Sequence, residues 1–166
     1  MIDIVEIKPH TAEGKEGKVI NNNVLSIFLA GTIDMGDSED WQHEIKLRFE
    51  EFAKKNKDKV TKESSIHLYN PRRLESWGDN KEEMEYQVNW ELDHLEKANI
   101  ILMNLLPNSK SPISLLELGL FARSKKLFVI CPPEFYRYDN VRIVAERYKI
   151  KLYNNIDEFF NKEMQW

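Results

Sequence analysis

The sequence has little of what several classes of protein depend on. Its 166 residues include one cysteine, Cys131, so no intrachain disulfide can form, which fits a reducing compartment. Lys and Arg number 24 against 28 Asp and Glu, and the net charge is −4. This balance lacks the basic excess that a nucleic-acid polymer or an anionic membrane favours in its partner. We therefore expect neither partner, and a cytoplasmic location.

Long apolar runs and metal-ligand spacings are also missing. The longest apolar run falls far short of the roughly 20 residues that span a bilayer. The first residues lack the basic stretch and apolar run of a signal peptide. The histidines at 10, 43, 67 and 94 are scattered, and Cys131 has no second cysteine. We expect a soluble protein that uses neither a metal nor a cofactor.

What the sequence does contain is a regular alternation of strands and helices after residue 23. Compact apolar runs predict strands at 24–30, 66–69, 100–106, 127–131 and 150–153. Apolar residues at three- and four-residue intervals predict a helix at 38–55, and further helices are predicted at 81–97, 112–124, 138–148 and 155–162. Ser38 is the predicted N-cap of the first helix. Wholly apolar strands that alternate with helices predict a three-layer α/β fold, with helices on both faces of a parallel sheet.

The first 23 residues differ from the remainder. Ile2, Ile4 and Ile7 lie among polar residues, and glycines and asparagines follow them. This pattern predicts a short edge strand or a loose hairpin as an N-terminal extension at 1–23. A single domain with one core is then expected at 24–166.

The loop after the strand at 24–30 is the first candidate site. Gly31 and Gly36 would let backbone amides approach a ligand, although the loop lacks the P-loop lysine and the Gly-x-Gly-x-x-Gly of dinucleotide-binding folds. Asp34 and Asp37 would repel a polyphosphate, whereas sugar hydroxyls donate well to carboxylates. The loop therefore favours a sugar as its ligand. The alternative is an ordinary strand-to-helix turn that binds nothing.

Glu91 is the second candidate, on the predicted helix at 81–97. It lies at the edge of an apolar face that contains Val88, Leu92 and Leu95. A desolvated carboxylate has a raised pKa, which suits a general acid. The alternative is a solvated glutamate on the surface of the helix.

Glu117 is the third candidate. The predicted helix at 112–124 is apolar nearly all round, so we expect it to be largely buried. A buried carboxylate is costly unless it serves a site or has a partner. Ser111 and Ser114 lie at the start of this helix, where free amides favour anions. The alternative pairs Glu117 with a buried arginine such as Arg123.

Together these segments resemble the nucleoside 2-deoxyribosyltransferase family, in particular its deoxyribosyltransferase-like branch. The shared segments are Phe28-Leu29-Ala30-Gly31, Trp90-Glu91-Leu92, Ala98-Asn99-Ile100-Ile101, Glu117-Leu118-Gly119 and Arg137-Tyr138-Asp139-Asn140-Val141. The resemblance covers roughly Leu25 to Lys151. It implies a flavodoxin-like sheet of five parallel strands in the order 2-1-3-4-5. Ligands of such folds bind outside the carboxyl ends of the strands.

The resemblance also implies a reaction. The family glutamate before Leu-Gly attacks the anomeric carbon of the sugar, and it corresponds to Glu117. An acidic residue on the preceding helix corresponds to Glu91, where the family usually has aspartate. A family aspartate six residues before the nucleophile falls on Ser111. In the related deoxynucleoside-monophosphate hydrolases a serine at this place helps to hold the 5′-phosphate. The resemblance therefore implies sugar transfer between bases, with nucleotide N-glycoside hydrolysis as the alternative.

The substrates, a nucleoside or nucleotide and a free nucleobase, would need several contacts. The predicted substrate-binding residues are Gly31, Thr32, Asp34, Trp41, Ser111, Ser114 and Asn140. The base could stack on Trp41, Trp77 or Trp90, each of which is equally plausible as a core or interface residue. Family members share sites in oligomers, so Asn140 could reach the sugar from a neighbouring subunit of a homo-oligomer. A non-catalytic binding module and an NAD-cleaving enzyme are the alternatives from other classes.

Overall fold

A computed structural model gives the chain an alternation of strands and helices. It describes residues 2–10, 23–34, 38–59, 64–73 and 80–164. The strands in these ranges are β1 Ile2–Ile7, β2 Val24–Gly31, β3 Ser64–Tyr69, β4 Ile100–Asn104, β5 Leu127–Ile130 and β6 Lys151–Tyr153. The helices are α1 Trp41–Lys55, α2 Lys81–Lys97, α3 Pro112–Phe121, α4 Tyr138–Tyr148 and α5 Ile156–Glu163. In this part of the chain, no helix has the length and apolarity needed to cross a membrane.

The strands form a six-stranded sheet in the order β1-β3-β2-β4-β5-β6. Pairing is parallel between β1 and β3, β2 and β3, β4 and β5, and β5 and β6. The three-layer α/β class is confirmed, and the five strands predicted after residue 23 keep their predicted order. The predicted strand number is corrected from five to six, because the N-terminal segment adds β1 at the edge, with Ile4 opposite Ile66.

Internal contacts divide the chain into two compact units. The first comprises Met1–Leu29 and Glu39–Asn99, and the second Ala30–Ser38 and Ile100–Trp166. The core of the first unit includes the fully buried side chains of Phe28, Leu29, Trp41, Ile45, Phe49, Leu68 and Leu95. The core of the second unit includes those of Ile101, Leu102, Met103, Leu105, Val129 and Phe135. Each unit thus buries apolar side chains of its own, and the single domain at 24–166 stays a prediction.

The first helix begins later than predicted. α1 starts at Trp41, and the Asp40 carboxylate caps it by accepting from the backbone N–H of His43 at 3.1 Å. The Ser38 hydroxyl instead donates to the carbonyl of Ile33 at 2.8 Å. The prediction of Ser38 as the N-cap was therefore wrong, because its hydroxyl bonds to Ile33 and Asp40 caps the helix.

The expected burial of α3 is also corrected. Ile113, Leu116 and Leu120 are 60%, 60% and 59% exposed, so one side of this helix faces outward. Ser114, Glu117 and Leu118 are its buried residues. An almost wholly apolar sequence has no polar face, so its pattern could not indicate which side of the helix would be covered.

Gly31 lets the end of β2 approach β4 closely. Its φ of +131° is a conformation that L side chains rarely adopt. The next residue, Thr32, donates its backbone N–H to the carbonyl of Asn104 at 3.0 Å. A Cβ at position 31 would overlap the backbone of Asn104. This approach therefore requires a residue without a side chain.

The close approach predicts that Gly31→Ala destabilises the protein by about 2 kcal/mol or more, through backbone strain and overlap. Gly119→Ala is the matched control, because Gly119 is exposed within α3 and an added Cβ would meet nothing within 4 Å. This control should raise the free energy of unfolding by up to about 1 kcal/mol, because alanine favours the helix. Chemical denaturation measures both changes, and an equal effect of the two substitutions would contradict the role given to Gly31.

Candidate active site

A group of hydroxyls lies at the carboxyl ends of β2 and β4 in the second unit. We call Thr32, Ser109 and Ser111, with the Asp34 carboxylate, the hydroxyl cluster. The hydroxyl oxygens of Thr32 and Ser111 are 2.6 Å apart, and those of Ser109 and Ser111 are 2.9 Å apart. All three hydroxyl-bearing residues are buried. Short distances and burial make this cluster a defined polar site.

The hydrogen bonds of Ser109 determine which hydroxyls of the hydroxyl cluster donate and which accept. Its hydroxyl donates to Asp34 Oδ1 at 2.8 Å. Because a hydroxyl has one proton, Ser109 accepts from Ser111, whose backbone N–H lies 3.1 Å from the Ser109 oxygen. Thr32 Oγ1 also accepts from the backbone N–H of Leu106 at 3.0 Å. The cluster therefore joins the loop after β2 to the loop after β4.

Two residues of the hydroxyl cluster have backbone conformations that L residues seldom adopt. The φ of Asp34 is 46° and that of Ser111 is 45°, both in the left-handed region. Ser111 is the N-cap residue of α3, but its side chain does not cap the helix. Strained residues of this kind concentrate at functional sites. Their presence here supports a functional reading of the cluster.

Glu117 lies on the buried side of α3. The residue is 8% exposed, and Ser114, one turn earlier, is 4% exposed. Pro112 occupies the first turn of this helix. The unpaired amides of that turn carry partial positive charge, which stabilises nearby anions. The structure therefore brings Ser114 and Glu117 to one side of a helix that begins at the hydroxyl cluster.

Arg123 does not provide the buried partner that the structural alternative for Glu117 requires. It is exposed, and its guanidinium lies 5.3 Å from the centre of the Tyr148 ring. One of its nitrogens is 3.5 Å from the Tyr148 hydroxyl. Arg123 is therefore not the buried partner of Glu117.

Glu91 lies on α2 in the first unit and is partly buried. Its Oε1 accepts a hydrogen bond from Gln87 Nε2 at 2.6 Å. Burial raises the pKa of Glu91 above its ordinary value, while the Gln87 hydrogen bond and the charge of Arg73 oppose this rise. Leu95 on the same helix is fully buried, but Val88 is 43% exposed, so the apolar face is narrower than predicted.

The tryptophans have different surroundings. Trp41 is 1% exposed, which favours a core role for it over base stacking. Trp90 is partly buried, and its ring stacks on His94 at 4.0 Å between ring centres. Trp77 lies outside the described residues. Asn140 is exposed in the first turn of α4, in the second unit.

Three residues near the candidate groups were not predicted as parts of a site. Ser109 is two residues before Ser111, and its role depends on the turn between them. Gln87 lies one helical turn before Glu91, a spacing that could have indicated contact. Arg73 is 14 residues from Gln87 in the sequence, yet the two side chains are hydrogen-bonded at 2.6 Å. Only the fold reveals that contact.

The described residues contain no group of three or more His, Cys, Asp or Glu side chains that could hold a metal ion. The polar groups described above are carboxylates, hydroxyls and amides. Such groups bind through hydrogen bonds and can act as nucleophiles or acids and bases.

The fold and these groups define an α/β protein with a buried glutamate on a helix that begins among serine hydroxyls. A family model described as "Nucleoside 2-deoxyribosyltransferase like" matches residues 24–135. Since this match spans more than half of the 166 residues, the chain belongs to that family. No curated protein matches the chain. The match includes Glu91 and Glu117, whereas Asn140 lies beyond its end.

The environment of Glu91 predicts a pH-dependent gain in stability for Glu91→Gln. A carboxyl whose pKa is higher in the folded state binds its proton more tightly there, so stability falls as pH rises through the folded pKa. The neutral amide avoids this loss. The variant should be more stable than the wild type at pH 8, and the gain should shrink as the pH falls to 4.

Denaturation curves measured from pH 4 to pH 8 test this expectation. Glu85→Gln is the control, because Glu85 lies on the same helix and is exposed. A stability gain for Glu91→Gln that does not vary with pH would contradict the desolvation of the carboxylate.

Proposed function

We propose that the protein cleaves the N-glycosidic bond of a nucleoside or deoxynucleoside and transfers the sugar to another base, with Glu117 as nucleophile. The burial of Glu117 on a helix that begins at the hydroxyl cluster carries this proposal. Membership of the nucleoside 2-deoxyribosyltransferase-like family supports it. Cys131 is a poor competitor, because burial raises the pKa of its thiol to about 12.

The proposed reaction has two displacements at the anomeric carbon of the sugar. In the first, a carboxylate oxygen of Glu117 bonds to C1′ while the electron pair of the C1′–N bond leaves with the base. The transition state resembles an oxocarbenium ion, which a nearby carboxylate stabilises. The product is a glycosyl ester on Glu117. A nitrogen of a second base then attacks C1′ and releases the carboxylate.

Glu91 is the proposed general acid. A protonated Glu91 gives its proton to a ring nitrogen of the departing base, which then leaves as a neutral molecule. In the second displacement the Glu91 carboxylate takes a proton from the incoming base. Burial raises the pKa of Glu91, which favours retention of its proton nearer to neutral pH.

The hydroxyl cluster and Gly31 are proposed to bind the sugar and its 5′ substituent. Asp34 can accept from sugar hydroxyls, while Thr32, Ser111 and Ser114 supply hydroxyl groups at the start of α3. Many family members have aspartate at the position of Ser111. The serine adds no negative charge to the start of α3, where free amides favour anions. This observation favours a second candidate function, the hydrolysis of a nucleoside monophosphate, in which water replaces the second base.

A homo-oligomer and a cytoplasmic location also stay part of the proposal. Asn140 would reach the sugar of a neighbouring subunit, as the family resemblance implies. Size-exclusion chromatography with light scattering measures the oligomeric state, and Asn140→Ala measures the contribution of this residue to substrate affinity.

The nucleophile assignment predicts that Glu117→Gln lowers turnover by on the order of 10³-fold or more, because the amide cannot form the glycosyl ester. The variant should stay folded, because the amide has nearly the same size. Glu134→Gln is the control, since Glu134 is an exposed residue of the same unit. Near-wild-type turnover by Glu117→Gln would show that another group is the nucleophile.

Chromatography of reaction mixtures measures this turnover and identifies the acceptor. Deoxynucleosides, ribonucleosides and their 5′-monophosphates are incubated with and without a different free base. A new nucleoside supports transfer, and free sugar or sugar phosphate supports hydrolysis. Binding without turnover would support a non-catalytic module, and nicotinamide release from NAD would support the NAD-cleaving alternative.

The acid assignment predicts that Glu91→Gln slows cleavage of an ordinary nucleoside about 100-fold or more. A nucleoside whose base carries a positive charge, such as a 7-methylpurine, leaves as a neutral molecule without protonation. Its cleavage should be nearly unaffected by Glu91→Gln but lost in Glu117→Gln. Equal losses with both substrates would exclude proton donation as the role of Glu91.

A further inference from the structure

Gln87 is a buried amide that contacts the proposed acid. The residue is 6% exposed and lies on α2, one helical turn before Glu91. Its Nε2 donates to Glu91 Oε1 at 2.6 Å and lies 3.1 Å from the carbonyl oxygen of Pro71. Its Oε1 accepts from Arg73 Nε at 2.6 Å. The amide therefore uses both of its N–H groups and its oxygen.

These partners fix the orientation of the amide. If the amide turned over, its oxygen would face the Glu91 carboxylate and the Pro71 carbonyl, and its NH₂ would face the Arg73 guanidinium. The contacts with Pro71 and Arg73 would then be repulsive, because they would pair acceptor with acceptor and donor with donor, and an ionised Glu91 would add a third repulsive contact. Arg73 thus determines that Gln87 presents a donor to Glu91.

Arg73 is itself held in place. Its Nη1 donates to Glu83 Oε2 at 2.9 Å, and its Nη2 donates to the carbonyl oxygen of Glu83 at 3.2 Å. His10 Nε2 lies 3.1 Å from the same Glu83 oxygen, Oε2. The Arg73 side chain is 9% exposed and that of Glu83 is 39% exposed, so water reaches this ion pair mainly from the side of Glu83. Contacts thus connect His10, which follows β1, to Glu91 through Glu83, Arg73 and Gln87.

We infer that Gln87 is a positioning residue for Glu91, oriented by Arg73; this inference rests on the proposed function. The hydrogen bond to Oε1 holds the carboxyl in one orientation. Among the described residues, the second oxygen, Oε2, has no hydrogen-bond partner. That oxygen is the one available to exchange a proton with the base of the substrate.

The charged groups around Glu91 set the sign of the expected effect. Arg73 and the Gln87 hydrogen bond both stabilise the carboxylate and oppose the effect of burial on its pKa. Glu83 contacts Arg73, and the titratable His10 contacts Glu83. Both therefore influence Glu91 only through Arg73. Loss of the Gln87 donor should therefore raise the pKa of Glu91 further. An acid with a higher pKa stays protonated to higher pH, so the alkaline limb of the rate profile should move upward.

The test replaces Gln87 with methionine, which has a similar length but cannot donate a hydrogen bond. Gln87→Met should lower kcat roughly 10-fold, because the acid loses its orientation, and should leave KM within about twofold. The alkaline limb of the kcat profile should move to higher pH. Asn89→Met is the matched control on α2, because the amide of the exposed Asn89 donates to the Glu85 carbonyl and not to Glu91.

A second variant distinguishes loss of the hydrogen bond from a folding defect. Gln87→Glu keeps an acceptor for Arg73 but has no donor for Glu91, so it should also lower kcat and move the alkaline limb upward. Folding of both variants is checked by circular dichroism and thermal unfolding. If both variants fold and keep the wild-type kcat and alkaline limb, Gln87 has a structural role only and the inference is overturned.

The inference and the proposed function fail in distinguishable ways. Carboxyl ¹³C NMR of glutamate-labelled protein measures the pKa of Glu91 without any substrate, with Glu91→Gln identifying the signal. The pKa should be higher in Gln87→Met than in the wild type. An unchanged pKa overturns the positioning of Glu91 even if the enzyme is active. A raised pKa in a protein that cleaves no nucleoside or nucleotide supports the contact and rejects the proposed function.

Discussion

The close backbone contact between Gly31 and Asn104 is the constraint on which the second unit's polar site depends. It brings the end of β2 beside β4, with the Thr32 N–H donating to the Asn104 carbonyl at 3.0 Å. Thr32 can then accept from Leu106 and contact Ser111. This contact helps to fix the separation of the loops after β2 and β4, at which their hydroxyls form short hydrogen bonds. The absence of a side chain at Gly31 thus influences the geometry of several polar side chains.

In the first unit, the proposed role of Glu91 requires a carboxyl that is partly buried but able to ionise. Burial alone would favour a permanently protonated Glu91, whereas a strong ion pair would favour a permanently ionised one. The structure places an amide between Glu91 and the cation, so that Gln87 donates to the carboxylate while Arg73 pairs with Glu83. The neutral amide of Gln87 separates the guanidinium from Glu91, which suits the proposed role of Glu91 in giving and taking a proton.

Much of this organisation could be predicted from the sequence. The strands β2, β4 and β5 are mostly apolar and largely buried, so they were recognisable, and the family resemblance supplied the order of the strands. The edge strand β1 was harder to identify, because Ile2, Ile4 and Ile7 fit a hairpin as well. The burial of Glu117 followed from its apolar neighbours, but the exposed side of α3 did not. The partners of Gln87 include Pro71 and Arg73, which follow β3, and no local pattern in the sequence pairs them with a residue of α2.

The left-handed backbone at Ser111 has a consequence for how this site can diverge. Among residues with a side chain, aspartate and asparagine tolerate a φ near +45° better than most, and β-branched residues tolerate it poorly. An exchange between serine and aspartate at this position therefore requires little rebuilding of the loop. The start of α3 can thus gain or lose a negative charge by a single substitution. Under the proposed function, this backbone would allow one substitution to change the preference between a neutral and a phosphorylated substrate.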